Sequence, residues 1–266
     1  MEKYCFCFDI DGTLLPSNHQ ITESTLNTLK TLQERGHKIV VATGRNFGSV
    51  KDSGVIEMFD WDGYVLNNGQ CVLDKDFNEV FVEKMDPELV QKVIDITNQE
   101  GLVCLLERVK DWFIVQDASE STKVTHDFFR VSLPEKNDYD PSMEIVMFIV
   151  YAPKGYDYKP YKELKELQVD EGNSEYADIV KAGYHKYKGI EKMLEYFNIK
   201  KSVCFGDGSN DVQMIKGATI GVAMGNACQS AKDASDFITL SCNHDGITYA
   251  CEKLRFLKEE DIPFYY

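Results

Sequence analysis

Two carboxylates lie two residues apart, Asp9 and Asp11, directly after the apolar run at residues 4–8. In an extended strand such spacing sends both side chains to the same side. Paired acids repel unless a cation or a shared proton relieves them. Acids at a strand-to-loop junction also serve as turn or cap residues, but two of them, followed by Gly12 and Thr13, suit a reactive site. Thr43, Gly44 and Arg45 offer a hydroxyl, a glycine that a ligand can approach closely and a cation. That set suits phosphate oxygens, although Thr-Gly alone is also an ordinary turn. The stretch 206–211 adds Asp207 and Asp211, hard oxygen ligands of the kind that bind Mg²⁺. Lys188 precedes Gly189 at an expected helix start, where a lysine opposes the helix dipole. It is either surface variation or a functional cation.

Each of these groups must be delivered by an element. Residues 4–8 read as a buried strand that breaks at Asp9. Thr22 caps an expected helix in which Leu26, Leu29 and Leu32 share a face and Gly36 ends the run. A second apolar run, 39–42, breaks at Thr43. Strand, helix, strand in that order implies a right-handed crossover and a parallel sheet. The grammar returns with a helix at about 189–197, a strand at 203–205 ending in the Asp207 loop, and a strand at 220–223. Four strand ends therefore bring acids, a hydroxyl and a cation to one edge of one sheet.

The middle of the chain differs. Residues 81–82, 102–106, 112–115 and 145–151 read as strands among helices at 87–100 and about 161–167, and polar neighbours interrupt them. This pattern predicts a smaller α+β module inserted into the larger domain. Residues 134–141 are expected to form its loosest loop.

Composition narrows the partners. Across 266 residues the formal net charge is −15, which argues against a nucleic-acid partner held by its phosphates. A small phosphate ester needs only a local cation and a metal. No apolar run approaches the roughly 20 residues that span a bilayer, and residues 1–11 do not read as a signal sequence. The expectation is a cytoplasmic protein with no membrane partner. Eight scattered cysteines without a CxxC pair are expected to be free thiols, most of them in apolar runs and buried.

The motifs as a set resemble the haloacid dehalogenase (HAD) superfamily, specifically its Cof-type sugar-phosphatase branch with an inserted type IIB cap. Residues 9–14 match the first motif of that family, Thr43-Gly44-Arg45 the second, Lys188-Gly189 the third and residues 206–211 the fourth; Asn68-Gly69 resembles a further family element. The resemblance implies an α/β fold with a Rossmann-like doubly wound parallel sheet as its core, formed by residues 1–82 and 183–266. Residues 83–182 would be the α+β cap that sets substrate choice. It implies a Mg²⁺-dependent phosphatase that hydrolyses small phosphorylated metabolites, sugar phosphates first among them, through an aspartyl phosphate. Asp9 would be the nucleophile and Asp11 the general acid and base. Asp9, Asp11 and Asp207 would hold the metal, supported by Asp211, and Thr43, Lys188 and Asn210 would hold the phosphoryl oxygens, with Gly44, Arg45 and Asn68 beside them. A monomer or weak homodimer is expected. Alternatives are a phosphosugar mutase on the same fold and a catalytically silent phospho-ligand-binding regulator. Glu107, Arg108, Lys110 and Trp112, near cap strand ends, are either leaving-group contacts or plain surface.

Overall fold

Cys5–Phe8 is buried at every position and has a strand on either side, as its uninterrupted apolar sequence requires. It is strand β1 of a computed structural model that describes residues 2–17, 19–129, 131–171, 175–258 and 261. After β1 come α1 (Glu23–Glu34), β2 (Lys38–Ala42), α2 (Phe47–Asp52), α3 (Val55–Met58), β3 (Gly63–Leu66), β4 (Cys71–Asp74) and β5 (Glu79–Val82). The chain continues through α4 (Pro87–Glu100), β6 (Val103–Glu107), β7 (Trp112–Ile114), α5 (Glu120–Phe129), β8 (Met147–Tyr151), α6 (Lys159–Lys162), β9 (Leu167–Glu171) and β10 (Tyr176–Lys181). Last come α7 (Lys186–Phe197), β11 (Ser202–Gly206), α8 (Val212–Gly217), β12 (Ile220–Ala223), α9 (Gln229–Ala234), β13 (Phe237–Ile238) and α10 (Gly246–Lys253).

Eight strands form one sheet in the order β13-β12-β11-β1-β2-β3-β4-β5. From β13 to β3 every pairing is parallel, and β4 turns back antiparallel on β3. Parallel strands need crossover connections, and helices supply them. The Thr22 hydroxyl accepts from the Thr25 amide at 3.2 Å and starts α1, which buries Leu29 and Leu32 and packs with α10. Helices α7, α8 and α9 form a second packed group, α7 with α8 and α8 with α9. This is the expected α/β architecture.

The second sheet has five strands in the order β7-β6-β8-β10-β9, each antiparallel to its neighbours. Its core is made by Leu89, Val90, Val93 and Ile94 of α4 against Leu106, Phe148 and Ile179 of the strands. Asp86 caps α4 by accepting from the Glu88 amide at 2.8 Å, and Pro87 occupies the first turn, where its missing N–H costs nothing. All eight cysteines are free thiols, and six of them are buried. Among the described residues no helix is long and apolar enough to cross a membrane.

The chain divides into two compact units, residues 1–43, 58–80 and 185–266 in the first and residues 44–57 and 81–184 in the second. Membership of 44–57 in the second unit differs from the expected boundary at 82/83. Long-range contacts put it there. Asn46 Nδ2 donates to the buried Glu107 at 2.7 Å, and Gly48 lies under Trp112, whose ring would come within 1.6 Å of any Cβ at that position. Strand β5 belongs to the larger sheet. Two local readings also need correction. The helix expected at 161–167 stops at Lys162, because Leu167 onward pairs with β10. Helix α5 was not expected at all.

Candidate active site

Strand order reverses at one place in the larger sheet. From β1 the chain runs outward through β2 and β3; from β11 it runs the other way through β12 and β13. Loops leaving the carboxyl ends of strands on the two sides of such a reversal diverge and leave a crevice, where open α/β sheets bind ligands. Asp9 follows β1 and Asp207 follows β11, and the Asp9 amide donates to the Phe205 carbonyl at 3.0 Å across the reversal. Thr43 follows β2, and Asn68 lies in the turn after β3.

Lys186 Nζ donates to Asp9 Oδ1 and to Asp211 Oδ1, each at 2.6 Å. All three residues are buried, the lysine completely. Asp211 Oδ2 accepts from the backbone amides of Asp207 at 2.8 Å and Gly208 at 2.9 Å, so this carboxylate folds its own loop. Asp207 Oδ1 accepts from the Thr13 hydroxyl at 2.9 Å, tying the first loop to the fourth. One carboxylate oxygen from each of Asp9, Asp207 and Asp211 lies within 4.8 Å of the others. The position of Lys186 depends on two glycines. Gly69, at φ +96°, lies where a Cβ would stand 2.3 Å from the His185 carbonyl oxygen, and a Cβ on Gly189 would stand 2.9 Å from the Gly69 Cα. Backbone therefore rests on backbone at the start of α7, and only glycine permits it.

Comparison with known proteins finds this fold and sequence elsewhere. The haloacid dehalogenase-like hydrolase family model matches residues 6–251. The chain belongs to that family. It is similar to YkrA of Bacillus subtilis, with 30% identity over 97% of this chain and 100% of the other. It also resembles the 5-amino-6-(5-phospho-D-ribitylamino)uracil phosphatase YitU of Bacillus subtilis, at 26% identity over 97% of each chain. Among solved structures, the HAD subclass IIB sugar phosphatase BT4131 superposes with a TM-score of 0.83 at 25% identity, covering 97% of this chain and 100% of that one. This haloacid dehalogenase-like hydrolase is a phosphatase of Cof type, a phosphoric monoester hydrolase acting on small phosphorylated compounds.

The electrostatics of the hydrolase fit a divalent metal, which phosphatases of this family use. Burial pushes Asp9 well above the usual carboxylate range; Lys186 opposes this, and the charges of Asp211, Asp207 and Asp11 add to it. Burial, then the charge of Asp211, pushes Asp207 up to about 7 against the Thr13 hydrogen bond. For Lys186 burial favours the neutral amine, but Asp211 and Asp9 outweigh it and hold the ammonium above the ordinary lysine value. With all three carboxylates ionised, the one ammonium would leave two negative charges uncompensated in a largely buried cluster. A divalent cation matches that deficit, and the donors are the hard oxygens that Mg²⁺ prefers.

The structure brings Asp9, Asp207 and Asp211 together, and it places Thr43 and Asn68 beside each other through the Asn68 amide, which donates to the Thr43 carbonyl at 3.2 Å. Asn210 Nδ2 donates to Asn68 Oδ1 at 3.3 Å, joining the fourth loop to the third. Asn67 and Asn68 both have left-handed backbone, φ 51° and 49°. Asp11 lies on the Asp9 loop and bridges Leu15. Gly44 and Arg45 fall in the second unit; the Arg45 guanidinium donates to Ser49 Oγ at 3.1 Å and stands 5.4 Å over the Phe129 ring.

Lys188 requires a correction. It is exposed and pairs with Glu191 at 3.1 Å, while Lys186 occupies the place beside Asp9. Two residues along a helix turn the side chain about 200°, so both lysines cannot face the same group. The signal was present in the helical period. Lys186 shares its buried face with Gly189, Ile190 and Met193, at spacings of three, four and seven, whereas Lys188 shares its face with Glu191, Lys192 and Glu195.

Proposed function

We propose that the cluster of Asp9, Lys186, Asp207 and Asp211 is the catalytic centre of a Mg²⁺-dependent phosphatase that works through an aspartyl phosphate on Asp9. The observation that carries this reading is the double contact of Lys186 Nζ, 2.6 Å from both Asp9 and Asp211 inside the carboxylate cluster. Asp9 and Asp207 would hold the metal with the Asp11 loop, and Asp211 would support them. When bound, Mg²⁺ supplies positive charge to the phosphoryl oxygens, as phosphoryl transfer requires.

An oxygen of Asp9 forms a bond to phosphorus while the ester P–O bond breaks. Asp11 gives its proton to the departing alkoxide. Water then attacks the phosphorus as Asp11 takes back a proton, the Asp9–phosphorus bond breaks, and inorganic phosphate leaves. Splitting hydrolysis in two makes each step easier. Lys186 holds the Asp9 carboxylate in line and neutralises charge that spreads onto the phosphoryl oxygens. Thr43 and Asn210 are assigned to the same oxygens. Gly44, Arg45 and Asn68 are assigned to the surroundings of the phosphate.

Sugar phosphates are the first substrate class to test, because the similar BT4131 is a sugar phosphatase. YitU, equally similar in sequence, acts on a phosphorylated ribitylaminouracil, so the leaving group varies at this level of identity. Selection of the leaving group is assigned to residues 81–184, which carry none of the proposed catalytic carboxylates. The decisive measurement is acid-quenched mass spectrometry during turnover of a sugar phosphate. The peptide carrying Asp9 should gain one phosphoryl group, and Asp9→Asn should lose both the adduct and at least about 10⁴-fold in kcat. Turnover by Asp9→Asn within tenfold of wild type would remove Asp9 as the nucleophile. Undiminished turnover in excess chelator would remove the metal.

A further inference from the structure

The loop after β12 reaches back to the proposed metal site through one side chain. Its backbone is fixed at both ends: the Met224 amide donates to the Gly206 carbonyl at 3.0 Å, and the Cys228 amide donates to the Asp207 carbonyl at 2.9 Å. Between them, Gly225 sits so close to residues 239–241 that a Cβ would come within 2.7 Å of the Ser241 nitrogen. Asn226 therefore projects from a turn whose backbone is held on both sides.

Its amide touches three loops. Nδ2 donates to the Gly12 carbonyl at 2.8 Å and lies 3.5 Å from Asp207 Oδ2, and Oδ1 accepts from the Cys242 amide at 2.9 Å. Asp207 is then held from two sides, by the Thr13 hydroxyl on Oδ1 and by Asn226 on Oδ2. A carboxylate has about four acceptor directions. One contact on each oxygen fixes the plane of the group and still leaves acceptor directions for a cation. The Gly12 contact also pins the loop between Asp9 and Thr13 against the Asp207 loop. Gly12 itself lies where a Cβ would stand 2.4 Å from Asp207 Oδ2, so the two loops meet without intervening atoms.

We infer that Asn226 is a positioning residue of the metal centre, which orients Asp207 and locks the Asp9 loop to the Asp207 loop before the cation binds. The inference rests on the metal reading above. Groups that orient a ligand in this way change metal affinity or activity by about 10–100-fold when removed. The long 3.5 Å contact puts Asn226 at the lower end of that range.

The test is calorimetric titration of the full chain with MgCl₂, beside the rise in melting temperature that MgCl₂ produces. Wild type should bind, Asp207→Asn should not, and Asn226→Ala and Asn226→Ser, which is too short to span the three loops, should each bind about tenfold more weakly. In chelator both Asn226 variants should melt slightly below wild type, since the contacts with Gly12 and Cys242 are lost, and at saturating Mg²⁺ both should keep kcat within about threefold. A purely structural role would leave Mg²⁺ affinity unchanged however far the melting temperature in chelator falls, and that result overturns the inference. So does a kcat that stays low at saturating metal, which would mean that Asn226 acts on the substrate. Failure of wild type to bind Mg²⁺ removes the metal reading itself, an outcome distinct from wild-type binding matched by both variants.

Discussion

The two units treat charge in opposite ways. In the first, Asp9, Lys186 and Asp211 are buried together, and burial and neighbouring charges displace the proton affinities of Asp9 and Lys186. In the second, ion pairs such as Lys136–Asp117 and Lys84–Glu144 lie at the surface, where water screens them. Its buried Glu107 instead accepts from the neutral amide of Asn46. Burying several like charges is costly and survives when function uses it. The larger sheet thus bears a local instability that the five-stranded sheet avoids, and the contrast can be attacked residue by residue.

The largest effect is expected from two lysines on one helix. Lys186→Met should lower kcat by about 10²–10³, the scale of losing a charge-stabilising donor, whereas Lys188→Met should stay within twofold. Steady-state kinetics on both variants decides it. Equal losses would restore the lysine before Gly189 to the site and erase the contrast between buried and exposed charge on α7.

A second effect is one of stability and is signed by pH. The folded-state value of Asp207, about 7, lies above its ordinary 3.8, so protonation favours the folded state. That contribution is complete below about pH 4 and is lost as pH rises through about 7. Metal-free wild type should therefore melt below Asp207→Asn at pH 8, and the gap should shrink as pH falls toward 5. Thermal melts of both proteins in chelator measure it; a gap independent of pH would show that Asp207 is not strained when charged.

The smallest effects belong to the second unit. Glu107→Ala strands the buried Asn46 amide and should cost about 1–3 kcal/mol. Lys136→Ala removes only an exposed pair and should cost no more than about 0.5 kcal/mol. Chemical denaturation of the two variants would rank them, and a reversed ranking would remove the distinction between buried and surface polar contacts in this unit.

Legibility in the sequence followed the same division. The strand ends carrying Asp9, Thr43 and Asp207 were readable because an apolar run that stops at an acid or a hydroxyl is a local signal. Lys186 was missed because the pair Lys188-Gly189 was read as a short motif, while the helical period ran one turn further back. Helix α5 was invisible for a different reason: it buries Ser121, Thr122, Thr125 and His126, so its inner face is polar and carries no apolar stripe. His126 makes this workable by bonding Tyr151 OH at 2.7 Å and the Ser132 carbonyl at 2.8 Å. Residues 44–57 join the second unit through Glu107 and Trp112, partners about 60 residues away in sequence, and no local pattern encodes that. Asn226 is equally silent in sequence, since an isolated asparagine after a strand reads as a turn residue.

The contact of Gly69 with the start of α7 has a consequence for how this protein can change over generations. A methyl group at Gly69 or Gly189 would push the helix away and carry the Lys186 ammonium with it, although neither glycine bears a reactive atom. In a library selected for turnover, these two positions would tolerate as little as the carboxylates do, and a change at one could not be rescued by charge placed elsewhere. Both glycines lie in the first unit, so any lineage that keeps Lys186 in place inherits the pair as a unit, whatever happens in residues 81–184.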